Sequence, residues 1–128
     1  MKIIIGGAGA VGTHLAELLS NEKQDIILMD EDENRLSKMD SNFDLMTVCA
    51  SPTSIQALKK AGVSDADLFI AVMPEESRNM TACMIATSLG AKKTVARIDH
   101  YEYLQPRGRE FCSNLGGHSL IYPDTLAA

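Results

Sequence analysis

The sequence lacks any run of basic residues. Its 128 residues include 12 Lys and Arg against 17 Asp and Glu, and the formal net charge is −5. Nucleic-acid surfaces need clustered Lys and Arg to meet the phosphates, so this balance excludes nucleic acid as the expected partner. The length fits one domain with a substantial core.

Long hydrophobic runs are missing as well. The strand-like apolar runs are only about five residues long, whereas a membrane-spanning helix needs about 20. At the N-terminus, Lys2 precedes three isoleucines and residues 8–10 imitate a signal-peptide cleavage site, but glycines interrupt the apolar stretch too early for a leader. We therefore predict a cytoplasmic chain that does not insert into a membrane.

Residues for common site chemistry are sparse. The three cysteines are odd in number, lie far apart within apolar patterns and are predicted to be reduced core thiols: Cys49, Cys83 and Cys112. The histidines have no metal-ligand spacing with one another or with the cysteines, so no metal site is predicted. Neither a nucleophile elbow nor a convincing Ser-His-Asp or paired-carboxylate set can be assembled, which argues against catalysis by this chain.

The clearest pattern is a glycine-rich turn between a short apolar run and an amphipathic helix, within residues 2–12. In such a turn Gly7 permits the tight bend, Gly9 lets a pyrophosphate approach the backbone, and Gly12 lets helix and strand pack closely. The positive end of the helix would face the phosphates. A P-loop is excluded because Thr13 occupies the position of its lysine. The predicted site also includes the intervening Ala8, Ala10 and Val11.

An acidic residue follows at the distance expected for ribose binding. Asp30 ends the next apolar run, 18 positions after Gly12, where a second parallel strand would present a carboxylate to the adenosine ribose. Three more acids follow, and they would repel a ribose phosphate by about 1 to 4 kcal/mol per close pair. NAD(H), or another nucleotide with an unphosphorylated ribose, is therefore favoured over NADP(H). The alternative is a glycine-rich turn with an incidental acid.

Apolar runs alternate with helical stretches along the chain. Strands are predicted at 2–5, 26–29, 45–49, 68–72, 94–98 and 119–122, the last at an edge, and helices at 10–20, 33–41, 54–61 and 77–89. The pattern predicts an α/β fold, a Rossmann-type doubly wound parallel sheet of about six strands with helices on both faces. The domain would cover residues 1–122, including a short helix-like piece at 107–115. Residues 123–128 resemble the start of another helix, so the chain is predicted to be truncated before a further domain.

The predicted helix 77–89 is apolar around most of its circumference. Two stripes share it, one formed by Met80, Cys83, Met84 and Thr87 and the other by Ala82, Ile85, Ala86 and Leu89. One stripe can pack on the sheet. The other needs either a neighbouring segment of the same domain or a second subunit.

The ends of the other strands offer further contacts, because ligands of this architecture lie at the carboxyl ends of the strands. Ala50 and Ser51 are small and would let an adenine lie against the backbone. Met73 and Asn79 follow the fourth strand, where a nicotinamide ribose or a terminal phosphate would reach.

Arg97 is a cation near the end of the fifth apolar run and must find an anion or an acceptor. A ligand phosphate would serve this purpose. An internal carboxylate, Asp99 or Glu75, would serve it equally well.

Together these features resemble the N-terminal nucleotide-binding domains of the TrkA family, also called RCK or KTN domains, over essentially the whole chain. The motifs that carry the resemblance are residues 2–12, Asp30-Glu31-Asp32 with Arg35-Leu36, residues 66–72 leading to Glu75-Glu76 and Asn79-Met80, residues 90–97 and residues 119–123. The resemblance implies a regulator rather than an enzyme, with NAD+ or NADH, and in some members ATP or ADP, bound in the cleft. It also implies that Glu31 and Arg35 belong to the cofactor site.

The same resemblance implies homodimers or larger rings that control a membrane potassium translocator of the TrkH/TrkG type. The domain would then lie at the inner face of the cell membrane, held there by its partner, and a C-terminal ligand domain would follow residue 123. Some relatives carry a basic residue after the second glycine of the turn to meet a third phosphate. Ala10 stands at that position here, which argues against strong ATP dependence.

Two other functions fit the same residues. The chain would also suit the cofactor domain of an NAD-dependent oxidoreductase whose proton donor lies in another domain. It would further suit a scaffold that uses the fold only for dimerisation, and such a scaffold would show no thermal shift with any adenine nucleotide.

Overall fold

The computed structural model describes residues 1–39 and 43–99 and the backbone of residues 119–121. Six strands form one sheet: β1 (Lys2–Gly6), β2 (Asp25–Asp30), β3 (Met46–Cys49), β4 (Leu68–Ala71), β5 (Thr94–Arg97) and β6 (Ser119–Ile121). All neighbouring strands are parallel, in the order β3-β2-β1-β4-β5-β6. The predicted doubly wound parallel sheet is confirmed, with the sixth strand at an edge.

The helices are α1 (Ala10–Ser20), α2 (Glu33–Ser37), α3 (Ile55–Lys60) and α4 (Glu76–Leu89), with a short 3-10 helix at Val63–Asp65. Ser54 caps α3 by accepting a hydrogen bond from the backbone N–H of Ala57. Gly90 ends α4 in the left-handed conformation. The second helix ends at Ser37, short of the predicted residue 41. Within it only Leu36 is buried, and a short helix with so little packing is marginal.

The two faces of the sheet are covered by different helices. In β1, Ile4 belongs to the core cluster that includes Leu58 of α3 and Ala82 of α4. Ile3 and Ile5 point to the opposite face and belong to a second cluster with the residues of α1 and α2. The central strands β1, β2 and β4 are therefore buried on both sides, which is why their runs in the sequence do not alternate with polar residues.

The helix α4 packs much of its apolar surface inside this domain. Ala82, Cys83 and Ala86 are buried, and the partly buried Met80, Ile85 and Leu89 pack against the same core cluster. A core role therefore explains members of both stripes. A contact between α4 and a second subunit stays a prediction.

The prediction that Cys49 is a core thiol is wrong. Cys83 is buried as expected, but Cys49 is exposed at the end of β3. Because β3 pairs with β2 on one side and is the first strand in the order of the sheet, its side chains gain less cover than those of the central strands.

Several sequence predictions fall on residues that the structure does not describe, namely the helix-like piece at 107–115, the helix start at 123–128 and Cys112. Among the described residues, no helix is long and apolar enough to cross a membrane. The same residues contain no group of three His, Cys, Asp or Glu side chains that is placed to hold a metal ion.

The two described thiols are expected to differ in reactivity. Burial raises the pKa of Cys83 to about 12, whereas the pKa of the exposed Cys49 is raised chiefly by its hydrogen bond with Glu33. In a Cys112→Ser background, alkylation by iodoacetamide at pH 8 should modify Cys49 at least about tenfold faster than Cys83, since the reagent reaches Cys83 only after local opening. Peptide mass spectrometry measures both rates, and equal rates would contradict the burial of Cys83.

Candidate functional site

The glycine-rich turn lies at the carboxyl end of β1, beside the ends of β2 and β4. Gly7 has a φ of +117°, a conformation that L side chains rarely adopt. Its N–H donates to Met29 O at 2.8 Å, and a Cβ atom at this position would lie 3.1 Å from the backbone of Val72 and Met73. The bend therefore requires glycine.

The other two glycines of the turn have opposite surroundings. A Cβ atom on Gly12 would overlap the carbonyl oxygen of Gly7 and lie 2.8 Å from its carbonyl carbon. A Cβ atom on Gly9 would meet nothing within 4 Å. Gly12 is thus required by the packing of α1 on the turn, whereas at Gly9 the fold leaves open space.

The open space adjoins the start of α1. Gly9 is the residue before the helix and has no side chain to cap it, and Ala10 is exposed in the first turn. The first N–H groups of a helix have no partner within the helix, and they lie at its positive end. This position suits a phosphate group.

The carboxylate of Asp30 holds the turn and the next loop in place. Asp30 is only 3% exposed. Its Oδ2 atom accepts from Ala8 N–H at 2.8 Å and its Oδ1 atom accepts from Asp32 N–H at 2.8 Å, with Arg35 Nη1 3.5 Å from Oδ2. Each carboxylate oxygen has a second lone pair, so this geometry leaves acceptor capacity. Its contact with a ribose stays a prediction.

Arg78 joins three elements on the acidic side of the turn. Its Nη1 and Nη2 atoms donate to the two carboxylate oxygens of Glu31 at 2.8 and 2.9 Å, and Nη2 also donates to Ser51 Oγ at 3.0 Å. The hydrogen bond from Arg78 lowers the pKa of Glu31, and the same bond raises the pKa of Arg78. Since Glu31 follows β2, Ser51 follows β3 and Arg78 lies in the first turn of α4, one guanidinium ties these elements together.

Arg78 was not predicted from the sequence as a site residue, although a signal for it exists. Arg78 is the only basic residue between Lys60 and Lys92, and it stands two positions after Glu76 at the start of a predicted helix. Its ion pair with Glu31 joins residues 47 positions apart, which no local pattern predicts.

On the other side of the turn, Asn79 fixes the ends of β4 and β5. Asn79 is 1% exposed. Its Oδ1 atom accepts from Met73 N–H at 2.7 Å, and its Nδ2 atom donates to Met73 O at 2.9 Å and to Arg97 O at 3.0 Å. With its amide engaged by backbone, Asn79 acts on the site as a positioning residue, and a direct ligand contact by Asn79 or by the buried Met73 stays a prediction.

Arg97 pairs with one of the two carboxylates considered above. Its Nε atom lies 3.4 Å from Asp99 Oδ1, and the side chain is 26% exposed. That Nε atom is buried and forms no hydrogen bond with the described residues. The ion pair therefore leaves a donor of Arg97 unused, and a ligand phosphate stays a predicted partner.

The structure thus brings the predicted residues together along the carboxyl ends of the strands. The glycine turn lies in the middle, at the end of β1. Asp30, Glu31, Arg35, Ala50 and Ser51 lie toward β2 and β3, and Met73, Asn79 and Arg97 lie toward β4 and β5. Phosphate binding at the helix start and ribose binding at the acidic end stay predictions for this arrangement.

Comparisons with known proteins agree with this arrangement. A family model described as the TrkA-N domain matches residues 3–123. The Trk system potassium uptake protein TrkA of Haemophilus influenzae is 42% identical over 128 residues, covering 98% of this chain and 28% of that protein. The chain therefore spans little more than a quarter of the length of this relative.

Solved structures share the fold at low sequence identity. The TrkA-N domain of the inner membrane protein ybaL from Escherichia coli superimposes with a TM-score of 0.79 at 14% identity, covering 96% of this chain and 87% of that one. The GsuK channel bound to NAD gives a TM-score of 0.74 at 18% identity, covering 94% of this chain and 21% of that one. By its match to the family model and its identity to TrkA, the chain belongs to the TrkA-N domain family.

Proposed function

We propose that this chain is the nucleotide-sensing domain of a TrkA-type regulator, which binds NAD+ or NADH and controls potassium uptake through a membrane translocator. The observation that carries the proposal is the open space at Gly9, beside the uncapped start of α1. A diphosphate fits the chemistry of that position, because backbone N–H groups and the positive helix end both favour anions.

The acidic end of the cleft supports NAD(H) over NADP(H). Asp30, Glu31 and Asp32 gather at the end of β2, and a ribose phosphate there would meet their negative charges. Arg35 and Arg78 already pair with these carboxylates. ATP or ADP would use the same cleft, with Ala10 offering no charge to a third phosphate.

The regulatory part of the proposal draws on the relatives. The Haemophilus influenzae relative is named a Trk system potassium uptake protein, and a channel solved with NAD shares the fold. We infer that dimers or rings of the whole protein act at the inner face of the membrane on a TrkH/TrkG-type subunit. A nucleotide switches such an assembly only if it binds one arrangement of the domains more tightly than the other.

The second candidate function is the cofactor domain of an oxidoreductase. Enzymes that bind nicotinamide cofactors carry the same glycine pattern and an acidic residue at the position of Asp30. The names of the relatives favour regulation instead. The two readings differ in their gene neighbourhood, because a regulator is expected beside a potassium-transporter subunit and an enzyme beside metabolic genes.

Replacing Gly9 with alanine is expected to weaken the binding of NAD+, NADH and ADP at least about tenfold while leaving the fold intact. The new methyl group meets no protein atom within 4 Å but occupies the space proposed for the diphosphate. A tenfold loss corresponds to about 1.4 kcal/mol. Titration calorimetry of the wild type and the variant measures the affinities, with NADPH included to test the preference for an unphosphorylated ribose.

Adenosine provides the control for this experiment, because it lacks the diphosphate and should bind both proteins alike. Thermal unfolding of the variant should match the wild type to within a few degrees. If the wild type binds none of these nucleotides, the proposed function is wrong. If Gly9→Ala leaves the ADP affinity unchanged, the diphosphate lies elsewhere.

A further inference from the structure

We propose that Arg78 recognises the base of the bound nucleotide, with its guanidinium plane forming the surface on which adenine stacks. This inference rests on the proposed function, since it requires an adenine nucleotide in the cleft. It assigns a specificity-determining role to a residue that neither the glycine turn nor the acidic motif includes.

The guanidinium of Arg78 is held rigidly. Three hydrogen bonds of 2.8 to 3.0 Å fix it, two to the carboxylate of Glu31 and one to Ser51 Oγ. The N–H groups of a guanidinium lie in its plane, so these bonds are made along its edge and none of them uses either face. Arg78 therefore presents a rigid flat group, and its side chain is 31% exposed.

Arg78 lies at the end of the cleft where the adenine is expected. Glu31 and Ser51 follow β2 and β3, the strand ends where the ribose and the adenine of a dinucleotide are expected. Ala50 and Ser51 offer little side-chain surface to a base. Arg78 reaches this end of the cleft from α4 and supplies the flat surface that the loop itself lacks.

The charge of Arg78 favours stacking over phosphate binding. The bidentate pair with Glu31 balances the positive charge of Arg78, so a phosphate would have to displace a well-placed carboxylate to bind there. Stacking needs no such exchange. A guanidinium stacks on a ring through dispersion and cation-π attraction.

The test compares a purine with a pyrimidine nucleotide of the same phosphate content. Wild-type protein should bind ADP more tightly than UDP, because the larger purine stacks better. Arg78→Lys keeps the charge and the reach toward Glu31 but removes the plane. It should weaken ADP binding about three- to tenfold and UDP binding less than twofold, so that the preference for ADP largely disappears.

Lys92→Gln is the matched control, because Lys92 forms an exposed ion pair with Asp67 at the opposite end of the strands. It should leave both affinities unchanged. Glu31→Gln replaces Arg78→Lys in the test if the latter folds poorly. This substitution weakens the hold on the guanidinium without removing it, and it should reduce the ratio of the ADP affinity to the UDP affinity. Thermal unfolding verifies that each variant is folded at the temperature of the titration.

The outcomes distinguish a failure of base recognition by Arg78 from a failure of the proposed nucleotide-binding function. A parallel loss of ADP and UDP affinity would assign Arg78 the role of tying three elements together and would overturn base recognition. Unchanged affinities would overturn it as well. If wild-type protein binds neither ADP nor NAD+, the proposed function fails and the role of Arg78 fails with it.

Discussion

Replacing Gly12 with alanine is expected to destabilise the domain by about 2 to 4 kcal/mol. The added methyl group would overlap the carbonyl oxygen of Gly7 and press on its carbonyl carbon at 2.8 Å. These are backbone atoms of a bend that is itself confined between Met29 and Val72, so they cannot rotate away as a flexible side chain would. Urea unfolding followed by circular dichroism measures the loss.

Gly9→Ala is the matched control for this measurement. It adds the same methyl group to the same turn, at a position where no atom lies within 4 Å. Its free energy of unfolding should stay within about 1 kcal/mol of the wild type. A Gly12→Ala protein that unfolds at the wild-type urea concentration would show that α1 can move away from the turn at little cost.

Replacing Asp30 with asparagine is expected to cost about 1.5 to 3 kcal/mol of folding free energy as well as ligand affinity. The buried carboxylate accepts from two backbone N–H groups, those of Ala8 and Asp32. Asparagine has the same shape, but its NH₂ group would face one of these donors, which then loses its acceptor. Urea unfolding measures the stability, and calorimetry at a temperature where the variant is folded measures the affinity.

Asp32→Asn controls for the removal of a negative charge at the same end of the sheet. The side chain of Asp32 caps α2 by accepting from Asn34 N–H, and asparagine caps helices about equally well. Its stability should stay within about 0.5 kcal/mol of the wild type. Wild-type stability in Asp30→Asn would mean that the backbone does not depend on the carboxylate, which would leave ribose binding as its role.

Local patterns predicted the strand, turn and helix around the three glycines and the place of Asp30 at the end of β2. The glycine spacing and the position of Asp30 belong to one strand-turn-helix-strand unit. The geometry of such a unit is determined by residues that are close in the sequence. Apolar runs predicted the strands for the same reason. They did not reveal that β3 lies at an edge, because an apolar run carries no information about its neighbours, and Cys49 was therefore assigned to the core.

Contacts between residues far apart in the sequence could not be predicted from local patterns. Arg78 and Glu31 meet across 47 positions, and Asn79 binds the backbone of Arg97 18 positions away. The role of each side chain depends on which strand ends the sheet brings together. The sequence analysis placed Asn79 near the ligand, and the structure adds that its amide is committed to two strand ends.

The commitment of Asn79 has a mechanical consequence. One amide in the first turn of α4 holds both backbone groups of Met73 and the carbonyl of Arg97. The start of α4 and the ends of β4 and β5 are thereby joined through one side chain. A displacement of either strand end is therefore expected to move the start of α4 with it, because no loop lies between Asn79 and the backbone groups that its amide holds.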